Sequence, residues 1–182
     1  YFVKDERVLE LDQMLLSMAL RDALTGLAKR EVFFSELHRE FERAKRHSRP
    51  LSLALLDIDH FKRINDDHGH LIGDEALRRV SDLIRLSMRE GDLSGRYGGE
   101  EFGVVFPETE MNGALLAVER IRQAIEQTPL KMADGSEINL TISCGLATLR
   151  DGDEDKLELL DAADQCLLEA KRTGRNRTVC RN

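Results

Sequence analysis

The run Leu51-Ser-Leu-Ala-Leu-Leu, closed by Asp57-Ile-Asp59, constrains this chain more than any other segment. An apolar stretch that ends directly in carboxylates reads as a largely buried strand whose far end meets polar surroundings. Helices are available to cover it. Apolar residues recur at helical spacing over 31–47 (Phe33, Leu37, Phe41, Ala44), 74–89 (Leu77, Val80, Ile84, Met88) and 111–127 (Ala114, Val118, Ile121, Ile125). Shorter or less regular helical pieces are predicted over 60–67 and 157–172, the latter ending at Gly174. A hairpin is predicted from Leu93–Tyr97 and Phe102–Phe106, because Gly98-Gly99 between two apolar runs supplies the positive φ of a tight turn. Strand material then runs from Ile138 to Leu149, after a turn at Asp134-Gly135, and Thr178–Cys180 reads as a last short strand. A hairpin lying between helices excludes an all-parallel sheet. The fold class is α/β, a mixed central β-sheet flanked by helices.

At 182 residues the chain fits one domain, or one domain with a short appendage, and it buries about 70% of its unfolded surface. No disulfide or structural metal is needed to fold it. Cys144, Cys166 and Cys180 are odd in number and lack metal-ligand spacing, so they read as reduced thiols of a cytoplasmic protein. The net charge of −7 argues against a DNA or RNA partner, while leaving room for a local basic pocket that takes one phosphorylated ligand. Residues 1–21 are helical by pattern, with Val8, Leu11, Leu15 and Met18 on one seam. That seam fits an amphipathic helix packed on its own domain, or the end of a dimerising stalk that carries a signal from an upstream sensor domain. The chain begins at Tyr1 and is expected to be a piece of something longer, divided into a helix over 1–21 and a domain over 22–182.

Two acidic clusters carry the chemistry. Asp57 and Asp59 are two apart and point to one side of a strand, and Glu100 and Glu101 follow the two glycines of the hairpin. With the first strand beside that hairpin, three or four carboxylates converge at one sheet edge. Crowded carboxylates repel unless protonated or bound to a cation. All-oxygen donors suit Mg²⁺ or Mn²⁺, and two such ions recur wherever a hydroxyl attacks phosphorus in line. The plainer readings are an N-cap role for Asp59 and a solvated turn for the glutamates. Lys62 and Asn65 share a helix face, and Gly69 and Gly73 allow sharp reversal before Asp74. His68 and His70 read as turn residues rather than a metal pair. Residues 171–182 hold five positive and no negative charges. They form either an anion site or a solvated tail, and Lys171 and Arg175, four apart at a helix end, suit phosphate oxygens.

Five segments occur in one order: Asp22-Ala-Leu-Thr-Gly-Leu, Leu56-Asp-Ile-Asp-His-Phe-Lys-Arg-Ile-Asn-Asp, Gly69-His-Leu-Ile-Gly-Asp, Arg96-Tyr-Gly-Gly-Glu-Glu-Phe and Ala170-Lys-Arg-Thr-Gly-Arg-Asn. Together they resemble the GGDEF-domain family, the diguanylate cyclases, in the Gly-Gly-Glu-Glu-Phe variant, over about residues 22–180. The resemblance implies a palm-like nucleotide-cyclase fold and the reaction 2 GTP → cyclic di-GMP + 2 pyrophosphate, run across a homodimer because each domain binds one GTP. It implies that Asp57, the carbonyl of Ile58 and Glu101 hold Mg²⁺ (or Mn²⁺, two ions per site). Glu100 becomes a further ligand or the base for the attacking 3′-hydroxyl. Asn65 and Asp74 read guanine, with Asp74 accepting from two N–H groups that adenine cannot supply. Lys62, Lys171, Arg175 and the backbone at His60 and Phe61 hold the triphosphate, and Gly98 and Gly99 let the backbone pass close to the nucleotide.

Arg89-Glu-Gly-Asp92 falls at the family's spacing for an inhibitory product site, with Arg120 as a second basic group. Cyclic di-GMP is thus expected as product and as inhibitor. The sequence departs from the family at Lys29, where Asn is usual, and at Leu168, where Tyr is usual. The competing reading is a silent GTP or cyclic di-GMP receptor, whose mark is a damaged Gly-Gly-[Asp/Glu]-Glu-Phe segment; this one is intact.

Overall fold

The computed structural model describes residues 19–181. The elements run in the order α1 (Arg30–His47), β1 (Leu51–Ile58), α2 (Phe61–His68), α3 (His70–Ser87), β2 (Leu93–Arg96), β3 (Glu101–Pro107) and α4 (Met111–Glu126). There follow β4 (Leu130–Lys131), β5 (Glu137–Ile138), β6 (Ile142–Thr148), α5 (Lys156–Arg172) and β7 (Thr178–Arg181). Five strands form one sheet in the order β2-β3-β1-β6-β7. Only the β6–β7 pair is parallel. The expected mixed sheet is present.

β1 lies at the centre and is buried at all of its positions. Its side chains alternate between two cores, as strand geometry demands. Leu51, Leu53 and Leu55 pack with Phe33, Leu37 and Phe41 of α1 and with Leu159, Ala163 and Leu167 of α5. Ala54, Leu56 and Ile58 pack on the other face with Val80 and Ile84 of α3 and Val118 and Ile121 of α4. Each fully buried leucine contributes about 1.5–3 kcal/mol, so β1 anchors both layers and its acidic end inherits their rigidity. Cys144 sits in the second core, where burial pushes its thiol up, and among the described residues the three cysteines are free.

Three expectations on element boundaries need correction. α3 begins at His70 rather than 74, so Gly73 lies inside the helix and reverses nothing; only Gly69, with φ 84°, turns the chain. The predicted strand from Ile138 divides into β5 and β6, because Leu140 drops into the core and Thr141 O accepts from the Asp59 N–H beyond the end of β1. The Gly98-Gly99 connection is not a two-residue turn, and neither glycine has positive φ. The N–H groups of Tyr97 and Gly98 both donate to Glu101 O, which closes a wider loop.

The segment Asp22–Leu27 is a tight loop closed by Asp22 N to Leu27 O at 2.8 Å. Beyond it, Ala28 bridges to Gly95 and covers the edge of β2. The seam of Val8, Leu11, Leu15 and Met18 lies outside the described residues. Among those described, no helix is long and apolar enough to cross a membrane.

Candidate active site

Antiparallel pairing places Asp57 opposite Glu101 at the ends of β1 and β3, and Ile58 N donates to Glu100 O one step beyond. The Asp57 carboxylate is buried, and Lys171 Nζ from α5 reaches its Oδ2 at 2.7 Å. Burial pushes the Asp57 carboxyl up from its ordinary 3.8; the Lys171 contact opposes this, and the Glu101 and Asp59 charges add to it. A carboxylate so placed gains from a cation. The donors are all oxygen, an ammonium already stands against one of them, and the Glu101 carboxylate folds over Gly98, where a Cβ would lie 2.3 Å from Oε2. Asp57, Glu101 and the adjoining Glu100 and Ile58 carbonyl therefore suit a hard divalent cation.

Asp59 does not join them. Its carboxylate accepts from Thr141 Oγ1 at 2.8 Å, Ser143 Oγ at 2.6 Å and Asn176 N at 3.0 Å. It is not an N-cap either: His60, with φ 57°, precedes α2 without a side-chain cap. Among the described residues no three His, Cys, Asp or Glu side chains gather to hold a metal. The expected convergence reduces to Asp57 and Glu101, with Glu100 beside them in the loop.

The loop between β2 and β3 is held by Arg96. Its guanidinium donates to Gly98 O at 3.2 Å and to Gly99 O at 2.8 Å, while Nη1 reaches Asp22 Oδ1 at 3.2 Å. Asp22 also accepts from Thr25 N and Oγ1. Burial raises the Asp22 carboxyl, but the Thr25 bonds and the Arg96 charge outweigh it and hold it below 3.8.

The corner between α2 and α3 brings Asn65 over Gly73, the residue before Asp74. A Cβ on Gly73 would stand 1.9 Å from Asn65 Oδ1 and 3.3 Å from Phe61 Cζ. Asn65 and Asp74 thus flank one corner, and His60 and Lys62 are exposed at the start of α2. Lys171 and Arg175 do not share a helix face as the spacing suggested. α5 ends at Arg172, and Arg175 lies in a left-handed turn, φ 61°, whose N–H returns to Ala170 O at 2.9 Å.

Residues 19–177 match the family described as "Diguanylate cyclase, GGDEF domain". The chain belongs to the GGDEF family. This GGDEF domain is 43% identical over 159 residues to the diguanylate cyclase DgcP of Pseudomonas aeruginosa, covering 87% of this chain and 23% of that protein. Its structure is similar to the coiled coil and GGDEF domain of DgcB from Caulobacter crescentus in complex with c-di-GMP. That match has a TM-score of 0.90 and 33% identity, and covers 99% of this chain and 95% of that one. It is also similar to the active GGEEF domain of a diguanylate cyclase from Vibrio cholerae, with TM-score 0.81, 35% identity and coverage of 86% and 98%. The chain spans less than half the length of the curated relatives it matches.

At the opposite end of β2 in the GGDEF domain, Arg89 and Asp92 satisfy each other. Arg89 Nε meets Asp92 Oδ1 at 3.1 Å, and Arg89 Nη2 donates to Pro107 O at 2.9 Å and to Thr109 Oγ1. Arg120 of α4 donates to Ser87 O, two residues from Arg89. A cavity of about 680 Å³ opens beside this corner, with Leu27, Phe33 and Met88 among its apolar walls and Arg85, Arg89 and Asp92 among its polar ones. The carboxylates Asp57 and Glu101 lie elsewhere.

Sequence reasoning missed the residues that hold the GGDEF site in shape: Arg96, Asp22, Asn176, Arg122 and the hydroxyls of Thr141 and Ser143. Asp22, Arg96 and Asn176 fall inside quoted segments, which gave a signal without a role. Arg122, on α4, gave none.

Proposed function

We propose that this GGDEF domain is a diguanylate cyclase, joining two GTP into cyclic di-GMP with release of two pyrophosphates. The observation that carries this is the Asp57–Glu101 pair, a buried carboxylate and its cross-strand neighbour at the end of a rigid central strand. Asp57, Glu101, Glu100 and the Ile58 carbonyl would hold Mg²⁺ or Mn²⁺, two ions per site. Bound there, the cation neutralises phosphate charge and acidifies the attacking hydroxyl.

The chain's own groups do the rest. Asn65 and Asp74 read the guanine edge, and the half-buried Asp74 carboxylate, covered by the base and left unpaired by adenine, rejects ATP. Lys62, Lys171, Arg175 and the backbone at His60 and Phe61 grip the triphosphate, while the open loop at Gly98 and Gly99 admits it. Lys171 trades part of its contact with Asp57 for phosphate oxygens. A 3′-hydroxyl of one GTP attacks the α-phosphorus of the other, the bond to pyrophosphate breaks, and the proton leaves to Glu100 or to water. A second, reciprocal attack closes the ring.

Each domain supplies one nucleotide, so two domains must face one another. A homodimer aligned by the segment before Asp22, in a larger protein with a sensor domain, follows from this reading. Product inhibition at Arg89, Asp92 and Arg120 is the second part of the proposal. It is supported by the adjoining cavity and by the c-di-GMP complex of DgcB. The test is turnover of GTP against ATP in a dilution series with Mg²⁺. The expected result is cyclic di-GMP from GTP alone, at a rate per domain that climbs with concentration. Equal use of ATP, or no condensation of GTP at any concentration, contradicts it, while a flat specific rate marks a dimer already formed across the series.

A further inference from the structure

Arg175 and Asn176 are consecutive non-glycine residues in the left-handed region, with φ 61° and 45°. L-residues hold that conformation in succession only where their surroundings impose it. Here the imposition comes from two sides. The Asn176 N–H donates to Asp59, whose carboxylate is buried and pinned by Thr141 and Ser143. The Asn176 side chain accepts from Arg122 Nη1 at 2.7 Å and donates to Glu126 Oε1 at 2.7 Å. Arg122 is in turn fixed by Glu119 and Glu126 on its own helix, and Glu119 accepts from Thr178 Oγ1 at the start of β7.

We propose that Asp59 and Arg122 are positioning residues that lock the Arg175–Asn176 turn, so that Arg175 meets the substrate triphosphate already placed. The proposal rests on the assignment of Arg175 to the triphosphate made above. Asp59 sits two residues from Asp57 in sequence yet serves the phosphate end of the site through the backbone, and Arg122 serves it from the far side of the sheet. Neither touches nucleotide. Pre-placing a charged donor removes the ordering cost that a free loop would meet on binding.

The test is GTP affinity in a double-mutant cycle. Arg175→Ala is measured in the wild-type, Asp59→Ala, Asp59→Asn and Arg122→Met backgrounds, with guanosine as the probe that lacks phosphates. Arg175→Ala alone is expected to weaken GTP binding about tenfold or more. In the Asp59→Ala and Arg122→Met backgrounds the same change is expected to cost less than about twofold, since the lock is already open. Asp59→Asn keeps an acceptor for the Asn176 N–H and is expected to restore the wild-type cost. Guanosine affinity is expected to stay constant throughout. An undiminished cost of Arg175→Ala in both backgrounds overturns the proposal. If Asp59→Ala does not fold, Arg122→Met decides alone. Amide exchange at Asn176 separates the two layers of the claim: faster exchange in Arg122→Met and Asp59→Ala supports the lock even in a chain that fails to bind GTP, whereas unchanged exchange overturns it.

Discussion

Arg96 joins Asp22 to the glycine loop: one guanidinium bonds the Asp22 carboxylate at 3.2 Å and the carbonyls of Gly98 and Gly99 at 3.2 and 2.8 Å. Asp22 opens the loop at which the N-terminal segment enters the domain, and Glu101 follows the glycines by two residues. Arg96 thus ties the Asp22 loop to the residues just before Glu101, alongside the backbone bonds of Ala28 to Ser94 and Arg96.

Replacing Arg96 by Ala is expected to cost about 1–3 kcal/mol of stability through lost charge-assisted bonds and to lower turnover by about 10²-fold through misplacement of the loop. Arg96→Lys is expected to rescue little, because an ammonium cannot fork to a carboxylate and two carbonyls at once. Thermal unfolding and GTP turnover of both variants check this. Full activity in Arg96→Lys contradicts the bridging role.

The Asp22 carboxyl is held below its ordinary 3.8, so its ionised form is favoured by folding. The stability it adds is present above that ordinary value and is lost as pH falls through the depressed one. The stability gap between wild type and Asp22→Asn is expected to be constant near neutrality and to close in acid, read by denaturant midpoints over pH 3.8 and below.

Asp57 behaves in the opposite sense. Burial raises its carboxyl above 3.8, so folding favours the neutral form, and that advantage is lost as pH rises through the raised value. Near neutral pH the ionised group costs stability. Asp57→Asn is expected to raise Tm by a few degrees, about 1 kcal/mol, while abolishing turnover. A lowered Tm shows that the Lys171 pair stabilises more than burial costs.

The fold and the site were legible to different depths. The strand at Leu51–Ile58 and the helical faces are written in hydrophobic period, which the two cores on β1 reproduce. The Asp57–Glu101 pairing follows from a hairpin laid beside that strand. Gly98-Gly99 misled, because a glycine pair signals freedom of φ, whereas neither has positive φ and Gly98 makes room for the Glu101 carboxylate. Asp59 misled because alternation puts it beside Asp57, while Thr141, Ser143 and Asn176, distant in sequence, claim its oxygens.

Gly73→Ala tests the guanine corner. The new methyl meets Asn65 Oδ1 at 1.9 Å and must displace that side chain. Helix propensity favours Ala by up to about 1 kcal/mol, so stability is expected to change little. KM for GTP is expected to rise about tenfold, the scale of one lost recognition bond. An unchanged KM sets Asn65 outside guanine recognition.

Arg89→Ala is expected to relieve inhibition by cyclic di-GMP, as it removes the guanidinium paired with Asp92 beside the cavity. Initial rates against added product read this directly. Unaltered inhibition in the variant removes this corner from regulation.

The most direct measurement is the product mass from purified protein with GTP and Mg²⁺, taken beside Glu101→Gln. The account predicts cyclic di-GMP from the wild-type chain and none from the variant, whose neutral amide cannot replace the carboxylate opposite Asp57. Comparable product from Glu101→Gln, or GTP bound and left uncondensed by a wild-type dimer, contradicts it.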